Sequence, residues 1–303
     1  MDLKQLRGLV AIVDHGGVSR AARHMNISQS ALSQSLARLE AQLEVTLFER
    51  TSKGVVLTPY GTAVVGRARS ILRETQAAVE DIETLRGKGR GHLIIGTGPV
   101  YATTLVSEAV HQIMITRPEL RVTVIQGGID ALGNELARGQ IDVALATREE
   151  THRVRQLTSE VVTEDVVGVL AGVGHPLAAR SKLSLADTRA YPWALPDSKI
   201  VQNKLKSVFA QHSLGAPRIQ VESSIVGFLQ TLVAKGVHLT FLPQALLSQP
   251  NWSQDLTMLP VAEAMWRRTL HVVYPQGRAL SKTARLFVDV LRSLPERGST
   301  RRK

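Results

Sequence analysis

Residues 28–43, SQSALSQSLARLEAQL, decide how the first part of the chain folds. Four leucines in this stretch recur at intervals of four, three and four residues: Leu32, Leu36, Leu39 and Leu43. This spacing predicts a helix that buries one apolar stripe and leaves its polar residues on other faces. Ser28 is placed to cap the amino terminus, because its hydroxyl can accept a hydrogen bond from a free backbone N–H of the first turn.

Two shorter helices are predicted before this stretch. Helical spacing of apolar residues starts at Leu3 and stops at the glycine pair 16–17. The next helix, for which Ser19 is the expected N-cap, is followed by Asn26, which suits a left-handed turn. Only residues 26–28 separate it from the leucine helix. Two helices joined by so short a turn form a helix-turn-helix, whose second helix can enter the major groove of DNA.

The polar face of the leucine helix carries the side chains expected to read DNA. Glutamine can pair with adenine through two hydrogen bonds, and serine can donate to or accept from base edges. The predicted base contacts are Gln29, Ser30, Ser33 and Gln34. The predicted phosphate contacts, on this helix and on a small two-stranded wing, are Arg38, Arg50, Thr51 and Lys53. The alternative is a three-helix core with an ordinary solvated polar face.

A long helix is predicted to start at Pro59, and neither Gly nor Pro interrupts the chain between Gly66 and Gly87. Apolar or small residues recur along it at heptad spacing, with Thr75 filling one gap: Val64, Ala68, Ile71, Ala78, Ile82 and Leu85. This spacing predicts that the helix pairs with the same helix of a second copy. The alternative is that the stripe packs on the carboxyl-terminal domain of its own chain.

The pattern changes after residues 86–91, RGKGRG, a glycine-rich and charged segment that is typical of a linker. Beyond it, short apolar strands such as residues 93–95 and 122–125 alternate with helical segments, up to a final helix from Ser281 to about Leu294. Such alternation predicts an α/β fold with parallel sheets covered on both sides. The remaining length is enough for two lobes.

Composition limits the classes of function. The 303 residues include 37 Lys and Arg against 26 Asp and Glu, a net charge of +11, which makes a polyanionic partner worth testing. The chain has no cysteine, so disulfides, thiolate zinc sites and cysteine nucleophiles are excluded. Its nine histidines show no metal-binding spacing, and it has no Gly-x-Ser-x-Gly or dinucleotide motif, so we expect no cofactor and no enzymatic activity. No secretory signal or membrane span is visible, which predicts a cytoplasmic protein.

Several motifs together resemble LysR-type transcriptional regulators. They are Ser19-Arg20-Ala21-Ala22, residues 27–33 (ISQSALS), Leu39-Glu40, Leu47-Phe48-Glu49-Arg50, Leu57-Thr58, Gly139-Gln140-Ile141-Asp142 and His175-Pro176-Leu177-Ala178. The resemblance implies an α/β protein with an all-α winged helix-turn-helix N-terminal domain, a long linker helix and a bilobed, periplasmic-binding-protein-like effector domain. Many members have Pro and Arg where this chain has Ser30 and Gln34, so their base preference does not transfer.

The resemblance also implies boundaries and partners. A DNA-binding domain would span residues 1–58, a dimerisation helix and hinge 59–90, and the effector domain 91–303. Lobe I would hold residues 91–162 and 268–303, and lobe II residues 163–267. The implied partners are double-stranded DNA, a small-molecule effector, further copies in a homodimer or homotetramer, and RNA polymerase. We therefore expect a sequence-specific transcriptional regulator whose activity is modulated by an effector bound between two α/β lobes.

In bilobed folds of this kind, small ligands bind in the crevice at strand ends and helix N-termini. The candidate effector contacts are Thr97, Gly98, Pro99, Tyr101, Thr103, Thr104, Gly128, Ile129, Thr147, Ser198, Ser224 and Phe228. Hydroxyls and free amides at helix starts can hold the carboxylate of a small organic or aromatic acid, with simple N-capping as their alternative role. Tyr101, Ile129 and Phe228 would form an apolar wall of the site, or belong to the core.

Two other functions are open at this point. One is a bilobed solute-binding protein or enzyme that carries a helical extension. The other is a nonspecific, nucleoid-like DNA binder, which would show a steep dependence on salt with little discrimination between sequences.

Overall fold

The computed structural model describes residues 1–51, 54–85, 91–154 and 156–294. In these residues the chain forms a small headpiece, a long helix and a two-lobed α/β domain, in that order. The predicted hinge at residues 86–90 and the predicted phosphate contact Lys53 lie outside the described residues.

Five elements form the headpiece: α1 (Leu3–Asp14), α2 (Val18–His24), α3 (Gln29–Leu43), β1 (Phe48–Thr51) and β2 (Gly54–Leu57). The two strands pair antiparallel as a wing. The leucine stripe of α3 packs against α1 and α2, and Leu32 and Leu39 are fully buried in the shared core. Ser28 caps α3 as predicted, since its Oγ accepts a hydrogen bond from the backbone N of Ala31 at 3.1 Å.

The turns on either side of α2 decide its length. Asn26 adopts the predicted left-handed conformation, with φ of 54°. The N-cap of α2 is Gly17, however, and not Ser19 as predicted. Gly17 has φ of 151°, a conformation that favours glycine, and its carbonyl accepts the first helical hydrogen bond, from Ala21. The helix therefore begins before Ser19.

Helix α4 (Pro59–Leu85) spans 27 residues, which corresponds to about 40 Å. Its first turns belong to the headpiece, because Val65 and Ala68 are buried in the headpiece core. Gly61 permits this close packing, since a Cβ at that position would collide with the carbonyl oxygen of Leu47. The headpiece and the beginning of the long helix are therefore one packed unit.

The α/β domain begins with β3 (His92–Thr97), α5 (Pro99–Tyr101), a π-helical turn (Ala102–Val106), α6 (Ser107–Thr116), β4 (Arg121–Gln126), α7 (Ile129–Ala137), β5 (Val143–Thr147), α8 (Arg148–Thr151) and β6 (Leu157–Gly172). Strand β3 pairs parallel with both β4 and β5. We call the part from β3 to α8 lobe I. Strand β6, with 16 residues, runs out of lobe I and into the second lobe.

The chain continues with a 3₁₀ turn (Leu185–Ala190), β7 (Trp193–Pro196), α9 (Lys199–Gln211), β8 (Ile219–Ser223), α10 (Val226–Lys235), β9 (Thr240–Pro243), a 3₁₀ turn (Gln244–Ser248), α11 (Pro250–Asp255), β10 (Leu256–Met258), a 3₁₀ turn (Ala262–Ala264), β11 (Trp266–Pro275) and α12 (Lys282–Ser293). We call the part from β7 to β10 lobe II. Strand β11 returns beside β6 to lobe I, where α12 packs. The predicted lobe boundaries, at residues 162 and 267, fall inside these two crossing strands.

The main sheet is mixed, whereas the sequence predicted parallel sheets. Its strand order is β10-β6-β11-β5-β3-β4, with β9 also paired to β6. Strand β11 is antiparallel to β6 because the chain returns along it to lobe I, and β9 and β10 also pair antiparallel with β6. Only the short pair β7 and β8 forms a separate parallel sheet within lobe II.

Both faces of each lobe's sheet are covered, as predicted. In lobe I, Ile95 packs in a core with α6 and α12, while its neighbour Ile94 packs in a core with α7. In lobe II, Val169 and Leu170 divide in the same way between two cores, one containing α9 and the other α10. Successive side chains of a strand point to opposite faces, so this division places helices on both sides of the sheet.

Candidate functional site

The exposed face of α3 holds five of the predicted DNA contacts: Gln29, Ser30, Ser33, Gln34 and Arg38. They are presented there because the leucine stripe of the same helix is buried on the opposite side. The face is continuous over the first three turns of α3, and the capped N-terminus of the helix lies at its start. The structure thus brings these side chains together on one solvent-facing surface.

Two of these side chains are held by neighbouring groups of the headpiece. The amide oxygen of Gln29 accepts a hydrogen bond from the hydroxyl of Ser19 at 2.9 Å, across the turn of the helix-turn-helix. The hydroxyls of Ser30 and Ser28 lie 3.1 Å apart. Ser33 and Gln34, in contrast, make no side-chain hydrogen bond to any residue that the structure describes, so their donors and acceptors face solvent.

The wing carries the remaining predicted phosphate contacts. Arg50 and Thr51 lie on β1, but their side chains, like all of Lys53, are outside the described part of the chain. The approach to the wing is fixed by Glu40 of α3, whose carboxylate accepts a hydrogen bond from the backbone N of Leu47 at 2.7 Å. The contribution of the wing to DNA binding stays a prediction.

The predicted dimerisation stripe of α4 divides into two parts. Ala68 is buried in the headpiece core and is not available to a second copy, whereas Val64 packs against the same core and is only partly buried. Ile71, Ala78 and Ile82 are exposed, and the side chain of Leu85 lies outside the described part. The heptad spacing did not distinguish the two parts, because a helix that packs on its own headpiece and one that pairs with a twin share the same repeat.

A cavity of about 560 Å³ lies between the two lobes. Lobe I contributes the loops that follow β3, β4 and β5, and lobe II the ends of β7, β8 and β9. Eight predicted effector contacts line it: Gly98, Pro99, Tyr101, Gly128, Ile129, Thr147, Ser198 and Ser224. Helices α7 and α9 begin at this cavity, at Gly128 and Ser198, and the Ser198 hydroxyl makes no capping bond.

Four predicted effector contacts do not reach the cavity. Thr103 and Thr104 were expected at a helix start, but the helix begins at Pro99, and both hydroxyls bind the carbonyl of Val100 inside it. Thr97 is fully buried at the end of β3. Phe228 is 49% exposed on α10 and lies outside the cavity lining.

The structure adds an element that sequence analysis missed, a buried charged cluster where the crossing strands meet lobe I. Arg268 Nη2 lies 2.9 Å from Asp165 Oδ2, and Arg268 Nε lies 3.1 Å from the same oxygen. The hydroxyl of Tyr101 donates to Asp165 Oδ2 at 2.8 Å and also contacts Arg268. Burial raises the pKa of Tyr101 well above its usual value of 10, so the hydroxyl remains a donor. Tyr101 and Arg268 both line the cavity.

The other charged side chains that line the cavity are three acids and two bases. Arg153 pairs with Asp130 at 2.8 Å on the side of lobe I. Glu150 accepts hydrogen bonds from the backbone N and the hydroxyl of Thr147, at 2.7 and 3.0 Å, which closes a capping box on α8. Asp197 and Lys199 add one charge of each sign from lobe II. Arg268 differs from them because its guanidinium is buried and only part of it is bound.

Two kinds of feature are absent from the described part of the chain. No group of three or more His, Asp or Glu side chains is placed to hold a metal ion there. No described helix is both long and apolar enough to cross a lipid bilayer.

Comparison with known proteins finds one family match at the headpiece and another at the α/β domain. Residues 3–62 match the family "Bacterial regulatory helix-turn-helix protein, lysR family", and residues 86–295 match "LysR substrate binding domain". The HTH-type transcriptional regulator GbpR of Azospirillum brasilense is 26% identical over 295 residues, covering 97% of this chain and 86% of that protein. The transcriptional dual regulator GltC of Bacillus subtilis is 26% identical over 289 residues, covering 95% and 96%.

Solved structures show the same fold. Full-length OxyR from Pseudomonas aeruginosa, as a point variant, superposes with a TM-score of 0.73 at 20% identity, covering 97% of this chain and 95% of that one. Full-length CbnR complexed with its target DNA gives a TM-score of 0.65 at 18% identity, covering 96% and 99%. At these identities the likeness concerns the arrangement of headpiece, long helix and two lobes.

Proposed function

The chain belongs to the LysR family of bacterial transcriptional regulators, and on that premise we propose that it reads DNA sequence with α3 and senses a small organic acid between its two lobes. The family consists of regulators, and we propose that this chain likewise has no catalytic activity. Helix α3 and the cavity between the lobes are separate in the structure, so we propose that occupancy of the cavity acts on DNA binding through the intervening chain.

The observation that carries the DNA-reading part is the division of α3 into two faces. One face buries its leucines in the headpiece, and the other presents glutamines and serines to solvent. Glutamine and serine offer the donors and acceptors that distinguish base pairs in the major groove. Arg38, on the same exposed face, would contact a phosphate and position the helix.

The buried guanidinium of Arg268 supports an acidic effector. Its side chain is only 7% exposed, and Nε and Nη2 bind Asp165 and Tyr101, which leaves Nη1 with no hydrogen bond to a described residue. The starts of α7 and α9 add free backbone N–H groups to the same cavity. Apolar side chains such as Ile129 and Phe241 line the rest of it. A carboxylate on a small apolar body matches this lining.

We propose that the effector acts by biasing the closure of the lobes around β6 and β11, since these strands are the two connections between them. The exposed apolar residues of α4, Ile71, Val79 and Ile82, support assembly of copies through that helix as a homodimer or homotetramer. Altered geometry of the assembled headpieces would then change DNA bending and contact with RNA polymerase.

Selection of DNA from a random duplex library by the purified full-length protein tests the proposal. The expected result is a recurrent sequence with a two-fold symmetric pattern, bound at least about 10³-fold more tightly than scrambled duplex at physiological salt. Equal affinity for selected and scrambled DNA, with a steep salt dependence, would identify a nonspecific binder instead. Thermal unfolding with a panel of small aliphatic and aromatic carboxylates, against their neutral amides, tests the effector class: a carboxylate should raise the transition temperature and its amide should not.

A further inference from the structure

The carboxyl end of α7 lies against the backbone of α4. The helix ends in two hydrogen bonds, from Gly139 N to Leu136 O and from Gln140 N to Glu135 O, and Gly139 has φ of 65°. These bonds form a Schellman motif, for which glycine is favoured. A Cβ at residue 139 would lie only 3.4 Å from the backbone N of Ser70 on α4. The turn of lobe I and the long helix therefore pack backbone to backbone.

Two ion pairs of opposite polarity fix this contact. Arg73 of α4 binds Asp142 of lobe I, and the next residue of α4, Glu74, accepts from Arg278 Nε at 2.6 Å. The Arg73 and Asp142 side chains are only 19% and 14% exposed. Asp142 is itself held rigidly, because its second carboxylate oxygen accepts a hydrogen bond from the backbone N of Ile94 at 2.8 Å.

The contact depends on these polar groups because apolar packing around it is incomplete. A junction cavity of about 580 Å³ lies between α1, α4 and lobe I, and Arg73, Glu74, Asp142 and Arg278 all line it. A junction with this much open space can change its geometry when an ion pair changes, whereas a close-packed core resists such change.

The N-terminal end of α7 lies at the cavity between the two lobes, which we call the effector cavity. Gly128 and Ile129, at its N-terminus, line the space between the lobes. The helix spans nine residues, about 13 Å, and buries Leu132 and Leu136 in lobe I, so it moves as one rigid element. A displacement at the cavity end would therefore appear at the α4 end.

Helix α4 connects this contact with lobe I to the headpiece. Arg69, one turn before Arg73, pairs with Asp14, the last residue of α1. Ala68 of the same turn is buried in the headpiece core. The turn of α4 that docks lobe I is thus continuous with the part of α4 that holds α1 and, through it, α3.

We propose that Arg73 and Asp142 are positioning residues that couple the effector cavity to the DNA-binding face, with α7 as the connecting element. The inference rests on the proposed function, since it assigns a route between the two sites named there. Coupling between two binding sites is reciprocal. With α7 as the connecting element, DNA bound at the headpiece is therefore expected to alter α7 even when no effector is present.

Hydrogen exchange measured by mass spectrometry tests this on the full-length protein, with and without the selected duplex. In the wild type, DNA is expected to slow exchange in residues 126–142 by about fivefold or more. Arg73→Ala should abolish that change and still bind the duplex, because Arg73 lies on α4 and not on the reading face, the exposed face of α3 that carries Gln29, Ser30, Ser33, Gln34 and Arg38. Asp142→Asn should do the same, and it keeps an oxygen for Ile94 N. The matched control is Arg67→Ala, which removes an exposed cation from the same helix and should leave the change intact.

The outcomes separate the coupling from the function on which it rests. If wild type binds the selected duplex without a change in residues 126–142, or if Arg73→Ala keeps the change, the coupling is wrong and the proposed function stands. The coupling is also wrong if Arg67→Ala abolishes the exchange difference in residues 126–142 as fully as Arg73→Ala does. The difference would then depend on the total charge of α4 and not on the ion pair of Arg73 with Asp142. If no duplex is selected at all, the proposed function fails and the coupling fails with it.

Discussion

Arg268 and Asp165 face each other across β11 and β6, and their side chains form an ion pair of 2.9 Å that is 7% and 4% exposed. The pair lies on the two strands that connect the lobes and beside the cavity between them. The ring of Trp266 lies against the same guanidinium, with 5.1 Å between the guanidinium carbon and the ring centroid. One buried ion pair therefore links the two crossing strands and places a charged group at the edge of the cavity.

Replacing the acid of this pair should be strongly destabilising. Asp165→Asn leaves the Arg268 guanidinium buried without its counter-charge, which typically costs about 3–5 kcal/mol. The free energy of unfolding, measured by urea titration of the effector-domain transition, is expected to fall by that amount. The asparagine has nearly the shape of aspartate, so the loss would report charge and not volume.

The matched control for Asp165→Asn is Asp130→Asn. Asp130 pairs with Arg153 at 2.8 Å, but these side chains are 62% and 50% exposed. Solvent screens such a pair, and its loss should change the free energy of unfolding by less than about 1 kcal/mol. Similar losses in the two variants would show that Asp165 has no special part in holding the lobes.

The headpiece could be predicted from sequence because its determinants are local. The Ser28 cap, the left-handed Asn26 and the leucine spacing of α3 each act within a few residues, and the structure bears them out. The wrong prediction of Ser19 as the N-cap of α2 also has a local cause. Gly17 offers a backbone conformation that starts α2 earlier, and sequence preference for a serine cap did not outweigh it.

The cavity could be predicted only in part, because its missing members depend on strand pairing. Asp165 and Arg268 are separated by 103 residues, and only the register of β6 with β11 brings them together. Neither residue stands in a motif. The sequence also did not predict that β6 would extend to 16 residues, because its first half alternates with exposed polar side chains such as Glu164. The mixed sheet follows from the return of the chain along β11, antiparallel to β6.

The reading face of α3 gives the next prediction. Gln29→Ala and Ser33→Ala should each weaken binding of the selected duplex by about 1–3 kcal/mol. Ser33→Ala removes a hydroxyl that faces solvent, and Gln29→Ala removes the amide N–H donors, since the amide oxygen of Gln29 already accepts a hydrogen bond from Ser19. Fluorescence anisotropy titrations with selected and scrambled duplex measure the loss. Affinity for scrambled DNA should be unchanged, because phosphate contacts remain.

The control for the reading face is Gln42→Ala, which changes an exposed glutamine in the last turn of the same helix. It should bind like the wild type. Circular dichroism of all three variants should also match the wild type, since alanine favours helix at exposed positions. If Gln42→Ala loses as much affinity as Ser33→Ala, the N-terminal half of α3 is not the reading face.

Two glycines of α4 should respond oppositely to alanine. Gly61→Ala places a Cβ against the carbonyl oxygen of Leu47, a backbone atom that can move only with the wing, and should destabilise the headpiece by about 1–3 kcal/mol or more. Gly66→Ala meets only an ordinary contact, 3.8 Å from the carbonyl oxygen of Ala137, and should stabilise by up to about 1 kcal/mol. Hydrogen exchange of α1 and α3 in the full-length protein gives both values. An equal effect of the two substitutions would contradict the close packing at Gly61.

The stability of lobe I should depend on pH through Glu160. Hydrogen bonds from Arg285 and Tyr274 lower the pKa of this carboxyl from its usual 4.5 to about 2. A carboxyl whose pKa is lowered by folding stabilises the folded state above its unfolded pKa and loses that contribution as the pH falls towards its folded pKa. Glu160→Gln should therefore be less stable than the wild type at pH 7, and the difference should shrink between pH 4.5 and 2.

Thermal unfolding of wild type and Glu160→Gln across this pH range measures the difference directly. The matched control is Glu164→Gln, an exposed position on the same strand β6. Its difference from the wild type should be small at every pH, because solvent already satisfies that carboxylate. The stability difference between Glu160→Gln and the wild type could instead stay constant from pH 7 to pH 2. The destabilisation would then come from poorer hydrogen bonds of the glutamine and not from the lost negative charge. The arginine cluster of Arg285 and Arg292 would then stabilise lobe I without depending on ionised Glu160.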